Sequence, residues 1–137
     1  MTLEEFKIQY ALGSLSSSRL ETLASSPNTP ASILKVLSKD KSWSVRTDVV
    51  NNSNVPRNVL KIMCKDVDGD IKCRVATLDN TPAEALTVLS KDTSSFAIRL
   101  CVAENRNTPI DILKTLSTDK SKLVSRKAIK RLNNGNN

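Results

Sequence analysis

Asn28-Thr29-Pro30, Asn54-Val55-Pro56, Asn80-Thr81-Pro82 and Asn107-Thr108-Pro109 recur along this chain at intervals of 26, 26 and 27 residues. After each Pro, apolar residues stand at the third, fourth, sixth and seventh positions, with Thr115 the one polar substitute, and Asp stands at the tenth. A basic residue follows in each copy: Arg46, Lys72, Arg99 and Arg126. A unit this short has too little apolar material to close a core alone, so it must stack on copies of itself. The period therefore predicts an all-α fold, a right-handed α-solenoid of about five two-helix repeats of ~26 residues.

The local chemistry of one unit supports helices. Thr ahead of Pro reads as a helix start, its hydroxyl accepting an orphan backbone N–H while Pro gives up an N–H that has no partner. Thr81 and Glu84 have the spacing of a capping box. Ile33, Leu34 and Leu37, with their equivalents, make one helical face, which Val36, Ile62 and Val88 are expected to widen. Ser38, Cys64, Ser90 and Ser117 mark a small, close-packed position after it. A second helix carries Val45, Ile71, Ile98 and Ser125 beside the basic residue. Two helices and two turns within the unit allow helices of only about ten residues, one of them part 3-10.

The repeats fall at 27–52, 53–78, 79–105 and 106–132 of a single domain spanning 1–132. Residues 1–26 form a degenerate capping repeat, in which Phe6, Ile8, Tyr10 and Leu12 stand in for the regular face. Residues 133–137, Asn-Asn-Gly-Asn-Asn, have nothing to pack and are expected to be disordered.

The pattern Asn-x-Pro, Leu-x-x-Leu, Asp and Val-Arg at this spacing resembles the leucine-rich repeat variant (LRV) family over roughly residues 20–132. Val55, Lys72 and Ser125 depart from it. The resemblance implies a HEAT-like helical solenoid and a binding role. It carries over no catalytic residue.

Composition narrows the function classes. Aromatic residues are only 3% of the chain, so the core must be aliphatic. The net charge of +7 is concentrated late, with residues 1–28 summing to −1 and residues 110–137 to +5. Three Cys and no His give no disulfide framework, no zinc set and no base for a nucleophile. The acidic start at Glu4 and Glu5 lacks the basic head of a signal peptide, and no apolar run reaches the ~18 residues that span a membrane. A cytoplasmic chain without cofactor or metal, monomeric or weakly self-associating, is expected.

The charged positions divide in two. Asp40, Asp66, Asp92 and Asp119, with the basic residue of each unit, repeat in register with the core, which assigns them to turns, caps and ion pairs. Lys35, Lys61 and Lys114 form one row, and Lys39, Lys65 and Lys91 another, four residues further on. Such rows suit an acidic partner, or phosphates, or plain solvation. Trp43 is read as a loop aromatic unique to one repeat, a candidate contact residue. The last repeat adds a dense basic cluster that includes Lys127, Lys130 and Arg131.

Asp66-Val67-Asp68-Gly69-Asp70 has calcium-loop composition, but Gly is fourth and the twelfth position is Thr77, so a turn is the better reading. These observations point to a non-enzymatic binding module with no catalytic residues. Its partner is expected to be a protein, an acidic one being compatible with the charge, with a sequence-nonspecific nucleic-acid binder as the alternative and no membrane role.

Overall fold

A computed structural model describes residues 1–134. Among them are ten α-helices and no strand: α1 Leu3–Ala11, α2 Ser17–Ser25, α3 Ala31–Leu37, α4 Trp43–Asn51, α5 Arg57–Met63, α6 Gly69–Thr77, α7 Ala83–Ser90, α8 Phe96–Glu104, α9 Ile110–Leu116 and α10 Lys122–Asn134. Each helix is α throughout, and the first helix of each full repeat has only seven or eight residues. Helix α10 continues through Asn134, so two residues of the segment expected to be disordered are helical. Residues 135–137 of that segment lie outside the described residues.

The chain divides into two compact units, Met1–Val59 and Leu60–Asn137. In the first, α2 packs against α4, and α3 packs on both. Phe6, Ala24, Ile33, Leu34, Leu37, Val45, Val49 and Val50 are its buried core. In the second, α8 packs on both α6 and α10, with α7 and α9 laid against them. Leu60, Met63, Ile71, Val75, Leu86, Leu89, Ile98, Val102, Leu113, Leu116 and Val124 fill that core.

The third, fourth and seventh positions after Pro are buried in every repeat, but the sixth is not. Val36 and Ile62 are only half-buried, and Val88 and Thr115 are exposed. At 3.6 residues per turn the sixth position sits about 60° off the edge of the core face, so the apolar stripe is narrower than the sequence suggested. Ile8 and Leu12 are likewise exposed, and α1 buries Phe6 alone.

The Thr-Pro signal works differently from the expected cap. Pro30, Pro82 and Pro109 themselves occupy the N-cap position, with no side-chain cap bond. Thr29, Thr81 and Thr108 are buried and donate their hydroxyls backward, to the carbonyls of Leu23, Val75 and Val102 at 2.5, 2.5 and 2.6 Å. They bind carbonyls in the last turn of the preceding helix rather than orphan N–H groups of the next. Glu84 accordingly forms no capping box with Thr81. A true capping box stands at Thr2 and Glu5, at the start of α1.

Candidate binding surfaces

The in-register charges are consumed by the scaffold. Asp40, Asp66, Asp92 and Asp119 each accept through Oδ1 from the backbone N–H two residues on, at Ser42, Asp68, Ser94 and Ser121. This bond shapes the turn into the second helix. In Asp92 and Asp119 the other oxygen accepts from a neighbouring repeat: Lys72 Nζ reaches Asp92 Oδ2 at 2.8 Å, and Arg99 Nε reaches Asp119 Oδ2 at 2.7 Å. At the N-terminal end Tyr10 takes the place of the base and donates to Asp40 Oδ2 at 2.5 Å. Lys72, by its hydrogen bond, holds the Asp92 carboxyl down at about 2, and Arg99 holds Asp119 below its ordinary range. Asp68, centre of the calcium-like run, caps α6 by accepting from Ile71 N–H at 3.0 Å.

A second ladder went unread in the sequence. Asn105 is buried, and its Nδ2 donates to the carbonyls of Ala76 at 2.8 Å and Leu78 at 3.0 Å. Its Oδ1 accepts from Asn107 N–H at 2.8 Å. Asn52 does the same in the first unit, with Ala24 at 2.7 Å, Ser26 at 2.9 Å and Asn54 N–H at 2.8 Å. In the last repeat Arg131 substitutes, its Nη1 donating to Ala103 at 2.7 Å and Asn105 at 2.9 Å. Arg131, one of the predicted partner-binding residues, thus clamps α10 to the end of α8.

Helix α10 is displaced by one residue from the expected register. Val124, not Ser125, enters the core, and Ala128 follows it. Arg126 therefore leaves the basic ladder and is exposed, as are Lys130 and Ile129, while Lys127 is half-buried.

Lys35 and Lys39 are exposed in the first unit, and Lys61, Lys65, Lys91 and Lys114 in the second. Lys61 and Lys65 border a shallow cavity of about 200 Å³ between α5 and α7, lined also by Cys64, Glu84, Ala85 and Val88. Lys61 Nζ lies 3.5 Å from Glu84 Oε1 in an exposed pair. Cys64 is buried as expected, its thiol donating to the Lys61 carbonyl at 3.1 Å, and burial raises its pKa. Lys114 lines a larger cavity of about 450 Å³ with Arg106, Thr108, Ile110, Leu113, Arg131 and Leu132.

Trp43 is the first residue of α4 rather than a loop residue, and it is 50% exposed. It does have an equivalent: Phe96 opens α8 and is 49% exposed. Helix α10 packs against α8, and Leu123 lies in its first turn. Leu123 is 57% exposed. Along the chain Lys91 precedes Phe96, and Lys122 stands immediately before Leu123. Among the described residues no helix is long and apolar enough to cross a membrane. Comparison with family models, curated proteins and solved structures finds no match to this chain.

Proposed function

We propose that this chain is a non-enzymatic binding module, a helical repeat scaffold of the LRV kind, that holds an acidic protein partner. Phe96 and Leu123, both exposed in the first turns of the packed helices α8 and α10, with Lys91 and Lys122 ahead of them in the chain, carry the reading. An apolar centre with a charged rim is the composition of a protein interface, where large buried side chains supply the energy and charges set orientation and on-rate. Trp43 offers the same feature in the first unit. The scaffold accounts for the repeated Asp and basic residues, which leaves the exposed Lys rows to act outward.

The nucleic-acid reading draws on the C-terminal basic cluster of Lys120, Lys122, Arg126 and Lys130, all exposed.

Fluorescence anisotropy separates the two. The protein is titrated against a duplex, a single strand and an acidic, Leu-bearing helical peptide at low and raised salt. The proposal expects peptide binding that weakens in Phe96→Ala and Leu123→Ala, with no saturable binding of either nucleic acid. Nucleic-acid binding that falls log-linearly with salt and ignores Phe96→Ala would overturn it.

A further inference from the structure

We propose that Cys73 and Cys101 form a dithiol site between neighbouring repeats, which low-molecular-weight disulfides close into a Cys73–Cys101 bond joining α6 to α8. The register carries the argument. The Asn105 amide spans the carbonyls of Ala76 and Leu78, so residue 105, the C-cap of α8, lies level with residue 77 on α6. One helical turn back, four residues on each helix, sets Cys101 level with Cys73. Helices α6 and α8 pack directly against each other, and Ala76 and Ala103, within one turn of the two cysteines, are wholly buried. Both cysteines are half-buried, whereas Cys64 is buried.

Their chemistry is mutual. Burial first, then the neighbouring Cys73 thiol, push the Cys101 thiol up to about 12. Burial disfavours the Cys101 thiolate, so Cys73 attacks first. With glutathione disulfide as oxidant, the Cys73 thiolate attacks one sulfur and expels one glutathione thiolate, which takes up the proton lost from Cys73. The Cys101 sulfur then gives up its proton and displaces the second glutathione. The protein loses two hydrogens and the oxidant is reduced to two thiols. The bond would tie consecutive repeats covalently at the middle of their second helices.

The test incubates the full chain with excess glutathione disulfide, alkylates the remaining thiols and maps the peptides by mass. The expected product is a monomer lacking two hydrogens, with a Cys73–Cys101 linked peptide and Cys64 the one alkylated cysteine. Cys101→Ser is expected to stop at the mixed disulfide on Cys73. Wild-type protein that stops at a mixed disulfide, links between chains, or keeps both thiols open to alkylation would overturn the proposal.

Discussion

Arg99 holds Asp119, 20 residues further along, through two nearly parallel bonds, Nε to Oδ2 at 2.7 Å and Nη2 to Oδ1 at 3.1 Å. The side chains are only 7% and 9% exposed. Nη1 of the same guanidinium also donates to the Asp92 carbonyl at 2.8 Å, so one side chain ties two repeat turns together. Removing one partner strands a buried charge, which costs far more than a surface pair is worth. Arg99→Ala is expected to lower stability by about 3 kcal/mol. Arg99→Lys should lose less, because it keeps the charge without the fork. Urea denaturation reads both, and a loss in Arg99→Ala below about 1 kcal/mol would place the pair among surface pairs.

Acid should release the same ladder. Asp92 titrates at about 2 in the fold, against 3.8 ordinarily, and Asp119 is also depressed. A folded pKa below the unfolded one gives stability that is complete above the unfolded value and is lost as pH falls through the folded one. The urea midpoint should therefore hold steady down to about pH 5 and fall between about pH 4 and 2. In Asp92→Asn the fall should be shallower, from a lower plateau at neutral pH. An equal slope in the two proteins would remove Asp92 from the account.

Tyr10 is the chain's single tyrosine, so absorbance reads it without interference. Burial, then its bond to Asp40, push its hydroxyl up to about 12. An alkaline titration should show a midpoint near that value, lowered in Asp40→Asn. Because the unfolded phenol ionises near 10, this contribution to stability should fade as pH rises beyond about 10.

The buried amide of Asn105 makes three bonds, and truncation leaves the Ala76 and Leu78 carbonyls without that donor. Asn105→Ala is expected to cost about 3 kcal/mol. Asn105→Asp should cost more, since it sets a carboxylate against two carbonyls. Asn107→Ala, at an exposed position, should cost less than about 1 kcal/mol. Thermal melting ranks the three, and an Asn107 variant as damaged as the Asn105 one would contradict the assignment.

The repeat period and the apolar spacing made the helical architecture and most of its core legible. Ser38, Cys64 and Ser90 pack as their size suggested, and the Asp positions shape turns as their register suggested. What escaped is non-local. Asn52 and Asn105 read as turn formers, because Asn favours turns locally, yet their partners lie 26 to 29 residues away. Thr81 has the composition of a cap, but Pro82 takes the cap position and turns the hydroxyl toward the preceding helix. The one-residue displacement of α10 became visible only when Val124 competed with Ser125 for the core. Nothing in the local sequence at Phe96 separates an exposed apolar residue from a core one.

The central functional claim is that the repeated charges build the fold while Phe96, Leu123 and the adjacent lysines face a protein partner. Photo-crosslinking in cells from Phe96→p-benzoylphenylalanine tests it most directly, with the same substitution at exposed Thr22 as the reference. The account predicts discrete, nuclease-resistant protein adducts from position 96, absent from position 22 and lost when Lys91→Glu and Lys122→Glu are added. Adducts destroyed by nuclease, or equal yields from the two positions, would contradict it.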